Sequence, residues 1–519
     1  MSALYQEDAV KYMRLERTLN TKRNIFVGEI DRLIGILLPF IVRTMIIHLM
    51  AAEYLGLMSL FYSIVQMLNL VELGFGTAII YSMYKPIADN DTKKINALLK
   101  FYSKVYIVVG LIVSAVGLSV MLFLPKLIKG DVPQDTNIYI LYLIFLANTS
   151  INFFLFPNKK ALMTAYQRDD LIGKMHIITQ IIMYAAQMLS VWLSRNFYMY
   201  AITIPISTVI YNLLCAYQCK KYYPGYHEEG KLEDDEYSEI KKQVLGLMVR
   251  KVATLSRNAF DSMFISAFLG LEITAIYGNY YYVMDAVVMI LAVVKTSMAG
   301  GVGNSIAMET VAKNHTDMSL INYMYMLISG WCCICLICLY QPFMEIWVGK
   351  DMMFAADIAI LFGIYFYILK MADIRTLYSE SVGIWWQARY LSVAEAVSNL
   401  LLNYIFIKMM GVYGIILATL ISYFIFNFVG GAVILYKNYF TDGGIFKYIL
   451  SHLRYALITG IIAAVTYYVT YKISIDGWVG LILKSLVCIL LPAVLYYLVY
   501  FKTDEFKDGK KFILSAVGR

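Results

Sequence analysis

Charge is scarce in this chain, and histidine scarcer still. Asp, Glu, Lys and Arg make up 15% of the 519 residues while apolar residues make up 60%, a balance that excludes an ordinary soluble domain. The histidines, His48, His176, His227, His315 and His452, are scattered with no spacing that suggests a His–Asp pair. That argues against a membrane-embedded polymerase or acyltransferase, which needs general acid–base groups. Seven cysteines give no disulfide framework. Cys332, Cys335 and Cys338 have a ligand-like spacing, but they sit in GWCCICLICLY, an apolar run where cysteine serves as a small hydrophobe. No cleavable signal peptide is expected, because the N-terminal stretch is mixed in charge and ends in Thr-Lys-Arg-Asn.

What the chain has instead is apolar runs of about 20 residues, each long enough to cross about 30 Å of hydrocarbon. Fourteen are expected: 28–50, 57–83, 101–124, 138–157, 172–193, 198–218, 252–270, 273–300, 318–340, 355–374, 391–409, 411–436, 452–471 and 478–500. Lys and Arg fix their direction. Most of the 44 fall in connections that face the cytoplasm if both ends are inside, whereas the outward ones hold only Lys126, Lys129, Arg195, Lys350, Lys408 and Lys472. The one long polar connection, 219–251, divides six helices from the next six and reads as a solvated cytoplasmic linker. The outward connections are too short for an extracellular catalytic domain. The expected parts are a cytoplasmic tail to 27, an N-lobe at 28–218, the linker, a C-lobe at 252–436, two further helices at 437–500 and a cytoplasmic tail from 501.

The four remaining cations, Arg43, Arg257, Lys295 and Lys484, are placed inside spans. Two of them repeat. Arg43 precedes Leu55-Gly56-Leu57 by the same interval at which Arg257 precedes Leu269-Gly270-Leu271. Further on, GTAIIYSMYKPIADNDTK answers GNSIAMETVAKNHTD, pairing Asn90 with Asn314 and Thr92 with Thr316. Six helices per half keep the second copy in the orientation of the first, so the repeats are parallel. At 1.5 Å per residue each arginine is expected roughly 18 Å below an outer helix end. A charge at that depth costs several kcal/mol or more and calls for a partner or a wet cavity.

The stretch EYLGLMSLFYSIVQMLNLVELGFGTAII resembles the second helix of Wzx-type polysaccharide flippases, of the multidrug/oligosaccharidyl-lipid/polysaccharide (MOP) exporter superfamily. NLLLNYIFIKMMGVYGIILATLISYFIFN resembles their eleventh and twelfth helices. The resemblance covers roughly residues 25–440. It implies an all-α integral membrane protein of about 14 helices, with two parallel six-helix lobes (MATE-like) around a central cavity plus two extra C-terminal helices. The implied cargo is an oligosaccharide on undecaprenyl diphosphate, flipped by alternating access across the bacterial cytoplasmic membrane for O-antigen, capsule or exopolysaccharide assembly. Polysaccharide polymerase or assembly proteins are the implied partners. The extra helix pair and the long linker depart from the commonest pattern of that group. Fourteen helices also occur in lipid II flippases, so lipid II flipping is an alternative, as is ion-coupled drug export.

Such cargo has an anionic diphosphate, and arginine suits it because its planar fork donates in pairs and stays charged when desolvated. Arg43 and Arg257, with Lys295 as a third cation, are the candidate diphosphate ligands. Each also has a structural reading: Asp261 shares a helix face with Arg257, Glu72 could pair with Arg43, and Lys295 and Lys484 could snorkel. Glu72, Asp261 and Asp285 are candidates for charge pairing or for coupling to H⁺ or Na⁺. Tyr277, Tyr280 and Tyr281 could stack on sugar rings or simply pack. Pro39, Gly74 and Gly76 could bend the first two helices. No cofactor, metal or nucleic acid is expected.

Overall fold

The computed structural model describes residues 17–72, 75–130, 132–233, 260–384, 387–441 and 444–517, together with Tyr237 and Ile240. Arg257 therefore lies outside the described residues, as does most of 234–259. All regular structure among the described residues is helical. Every expected apolar run falls on a helix, the seventh being described only from Phe260. By length and apolarity, nine described helices can cross a bilayer, and ten if one bent pair counts as a single broken span. Large apolar side chains such as Leu111, Leu189, Trp192, Leu457 and Ile482 stay exposed, as a surface facing lipid tails requires.

The chain divides into two compact units, Met1–Ala275 and Ile276–Arg519. The first holds α1 (Arg17–Leu49), α2 (Ala52–Leu68), α3 (Phe75–Ala88), α4 (Thr92–Val120), α5 (Ile138–Phe154), α6 (Pro157–Ala165), α7 (Asp169–Ser194), α8 (Phe197–Tyr222) and α9 (Phe260–Leu269). Helix α1 runs unbroken through Pro39 and packs along α7, which packs on α8. The expected second span is interrupted: α2 stops at Leu68, a 3₁₀ turn covers Asn69–Glu72, and α3 restarts at Phe75. The fourth is interrupted as well. Phe156 takes a left-handed conformation (φ 51°), Pro157 opens α6, and α6 is bent by 55° from α5. Pro157 has no N–H to lose at a helix start, which makes it a natural residue for such a restart.

The second unit begins within α10 (Leu271–Met308) and continues with α11 (Val311–Val348), α12 (Ala356–Met371), α13 (Asp373–Val382), α14 (Arg389–Met410), α15 (Val412–Ser422), α16 (Gly431–Asn438), α17 (Ile445–Tyr471), α18 (Gly477–Tyr500) and α19 (Asp504–Val517). Helix α11 is its spine, packing against α12, α17 and α18. A π-helical segment, Tyr423–Gly430, joins α15 to α16. At the end of the tenth expected span α12 stops at Met371, and α13 follows after the single residue Ala372.

Two details of the repeat change. Asp91 caps α4 by accepting from Lys94 N at 3.0 Å, and Thr310 caps α11 by accepting from Lys313 N. Asn90 sits in the turn (φ 57°), whereas Asn314 lies inside α11 and bonds Ser305 and Tyr439, so these two asparagines are not structural equivalents. Helix α1 also ends at Leu49, short of Leu55, which begins the next repeat motif on α2. Arg43 is thus roughly 9 Å from its helix end, half the expected depth.

Candidate functional site

A cavity of ≈ 470 Å³ opens inside the first unit where the two helix interruptions meet α4. The 3₁₀ turn after α2 delivers Asn69 and Glu72 to it, and the restart at Pro157 delivers Lys160. Tyr102 and Tyr106, one turn apart on α4, stack at 4.3 Å between ring centroids. Tyr106 Oη donates to Glu72 Oε1 at 2.5 Å. Gly76 makes this possible, since a Cβ there would lie 2.5 Å from Tyr106 Oη. Asn148 and Asn152, one turn apart on α5, line the opposite wall. Helix α8 orients both: Thr208 Oγ1 donates to Asn148 Oδ1 at 2.5 Å, and Asn212 Nδ2 donates to Asn152 Oδ1 at 3.3 Å. The lining therefore offers amides, tyrosines and one cation within apolar helices, groups that can replace water around a hydroxyl-rich solute.

The second unit carries a buried charge cluster at its own helix break. Lys370, near the end of α12, places Nζ 2.9 Å from Asp373 Oδ2, and Lys295 of α10 places Nζ 3.6 Å from Oδ1. Tyr325 Oη of α11 donates to Asp373 Oδ2 at 2.6 Å. Two residues on, Arg375 Nη2 donates to Asn427 O at 2.9 Å and to Asn427 Oδ1 at 2.7 Å. Asn427 lies in the π segment, where the helical bonding pattern is displaced, as is common at functional sites. Its Nδ2 in turn donates to Glu395 Oε2 at 3.1 Å. Gly431 lies flat against the guanidinium, since a Cβ would come within 2.4 Å of Nη1. His452, fully buried on α17, donates from Nδ1 to Tyr448 O at 3.0 Å and accepts at Nε2 from Asn322 Nδ2 at 3.2 Å, the arrangement of a neutral imidazole.

Arg43 is buried on α1 within electrostatic reach of Tyr200. Glu72, in the 3₁₀ turn after α2, is engaged by Tyr106 and faces the cavity shared with Lys160. Lys295 has a partner in Asp373, and Asp285 of α10 lies within electrostatic reach of Lys370. Asp261 is buried on α9. Tyr277 stacks on Tyr281 and packs on Phe362. Tyr280 is fully buried among Tyr340, Phe354 and Phe362, and its hydroxyl is bonded to Gln341. In this arrangement the Tyr280 ring packs and has no face left for a sugar.

The loop-charge count takes Lys160, Lys370 and Arg375 as cytoplasmic-facing cations, and the sequence analysis passes over Asp373 and Glu395, which fall inside the tenth and eleventh expected spans. Pro157 was the available signal for the first of these. A carboxylate–imidazole contact also appears where none was expected: Asp31 Oδ1 lies 2.8 Å from His176 Nδ1, joining α1 to α7. Among the described residues no group of three His, Cys, Asp or Glu side chains could hold a metal ion.

No family profile matches the sequence, and no curated protein matches it. Solved structures do match the fold. An inward-facing multidrug-resistance MATE transporter of the MOP superfamily aligns with a TM-score of 0.62 at 12% identity, over 82% of this chain and 98% of that one. The lipid II flippase MurJ, in an inward closed conformation, aligns with 0.61 at 14% identity, over 92% and 98%. A MOP superfamily transporter from Pyrococcus furiosus, described as having a binding pocket of reverse polarity, aligns with 0.51 at 11% identity, over 82% and 98%. This chain is a multi-pass helical membrane protein with the fold of MOP superfamily transporters.

Proposed function

We propose that this protein flips polyprenyl-diphosphate-linked oligosaccharides of the Wzx cargo class across the bacterial cytoplasmic membrane, by alternating access and with both ends in the cytoplasm. The observation that carries the reading is the amide- and tyrosine-lined cavity of the first unit. Carrying a glycan through hydrocarbon strips water from many hydroxyls, at a cost only a polar wall can offset. Gln66, Asn69, Asn148 and Asn152 supply paired donors and acceptors, and Tyr62 supplies an aromatic wall. At about 470 Å³ the cavity falls in the range of small-molecule sites and suits one or two sugar rings. A cationic drug would meet a less favourable site, because Glu72 is already bonded and Lys160 stands in the same cavity. Arg43, Arg257 and Lys295 remain the proposed diphosphate ligands, and Glu72, Asp261 and Asp285 the proposed coupling carboxylates for H⁺ or Na⁺.

The test is a leaflet assay in proteoliposomes with a fluorescent undecaprenyl-diphosphate oligosaccharide and with lipid II in parallel. The wild type should move the oligosaccharide, and Arg43→Gln and Arg257→Gln should stop it while reconstituting normally. Movement of lipid II alone would reassign the cargo, and movement of neither would reject the function.

A further inference from the structure

A second cavity, of ≈ 450 Å³, lies in the second unit where the end of α11 meets the turn between α17 and α18. Three charged side chains line it: Glu345 of α11, Asp476 just before α18, and Lys484 of α18. Glu345 is ion-paired with Lys350 at 3.2 Å. Asp476 and Lys484 make no hydrogen bond or ion pair to any described residue, and Asp476 does not cap its helix. Lys484 sits roughly 10 Å into α18. A cation at that depth beside an equally unengaged carboxylate marks a cavity whose charges are left for something else.

The surroundings say what that is. Tyr471 and Ile475, which line the cavity, are about half exposed or more, and Trp478, Val479 and Ile482 expose apolar surface on the other faces of α18, an aromatic and aliphatic setting of the kind found at a bilayer boundary. A soluble ligand would gain nothing from that setting, whereas an amphiphile would. The positive-inside count assigns this end of the helices to the outer face. We propose that the cavity holds the headgroup of an outer-leaflet phospholipid bearing a primary amine, such as phosphatidylethanolamine. The phosphate is drawn to Lys484, and the ammonium donates to Asp476 and to the free side of Glu345. The acyl chains run down the exposed face of α18. A primary ammonium has three N–H donors for two carboxylates, and a quaternary one has none. Headgroup identity is therefore read by hydrogen bonding as well as by charge.

The experiment uses the full chain in nanodiscs of phosphatidylglycerol alone, or mixed with phosphatidylethanolamine or with phosphatidylcholine. Native mass spectrometry counts retained lipid, and a thermal melt follows stability. Phosphatidylethanolamine should be retained selectively and raise Tm. Asp476→Asn and Lys484→Gln, both near the surface, should each cut its retention about ten-fold, a loss equal to 1.4 kcal/mol. Equal retention of phosphatidylcholine, or undiminished retention by the double variant, would overturn the site. Stabilisation by phosphoethanolamine without acyl chains would overturn the lipid assignment in favour of a soluble ligand.

Discussion

Lys370 and Asp373 face each other across the break between α12 and α13, with Nζ 2.9 Å from Oδ2. The break itself explains the geometry, because Ala372 ends one helix and begins the next, setting both side chains beside Lys295 and Tyr325. Removing one partner strands the other in a poorly hydrated site, at a typical cost of about 3–5 kcal/mol. Asp373→Ala should therefore lower the melting temperature in detergent far more than Lys295→Met, since Lys295 is the more distant and more exposed partner. Equal shifts would show that the carboxylate is not the hub of the cluster.

Arg375 is a second test of the same region. Its guanidinium reaches both the carbonyl and the side-chain oxygen of Asn427 while lying against Gly431. Lysine cannot reproduce that planar contact, and a methyl group at 431 would push into it. Arg375→Lys and Gly431→Ala should each destabilise by about 1–3 kcal/mol, and the double variant by less than the sum, because both break one contact. Full additivity in unfolding titrations would separate the two positions.

In the first unit, Tyr106→Phe removes the donor to Glu72, a hydrogen bond to a charged group worth about 1.5–3 kcal/mol. Gly76→Ala should act in the same direction by displacing Tyr106 from its place. Both variants should change transport along with stability if Glu72 works from this cavity. A change in melting alone would confine the pair to a structural role.

Lys160→Gln keeps length and hydrogen-bonding ability while removing the cavity's cation. On the proposed function it should slow glycan movement by about ten-fold, a loss of roughly 1.4 kcal/mol of cargo stabilisation, with normal insertion in the membrane. Wild-type rates would take Lys160 out of the cargo path.

Asp31 and His176 are both partly solvent-accessible, with side-chain exposures of 28% and 40%. Their contact should therefore contribute under about 1 kcal/mol, and His176→Ala should barely shift unfolding. A larger effect would mean that this contact sets how α1 seats on α7.

Helix positions were legible because about 20 apolar residues in a row leave few other options. The interruptions were not, since one or two residues decide them: Phe156 turning left-handed, Ala372 leaving the helix, α2 stopping at Leu68 inside a mainly apolar stretch. Those same breaks carry the site. Counting loop charges puts Lys160, Lys370 and Arg375 in cytoplasmic connections, whereas Lys160 and Arg375 lie on the second arm of their interrupted spans and Lys370 on the last turn of α12, the latter two being buried. The shared interval from Arg43 and Arg257 to a Leu-Gly-Leu motif suggested a depth for Arg43, but the interval crosses a turn at 50–51, which halves it.

The π segment Tyr423–Gly430 gives the second unit a built-in gear tooth. Each of its turns holds roughly one residue more than an α turn, and that surplus can be taken up by the neighbouring helix. Drawing one residue into α geometry would turn Gly431–Asn438 by about 100° relative to Val412–Ser422. Gly431 would swing away from Arg375, and Asn427 would release Arg375 and Glu395 in the same movement. A slip of one residue along one helix would thus free Arg375 and Glu395 together, at the cost of the bonds that tie Tyr436 to His315 and Tyr439 to Asn314.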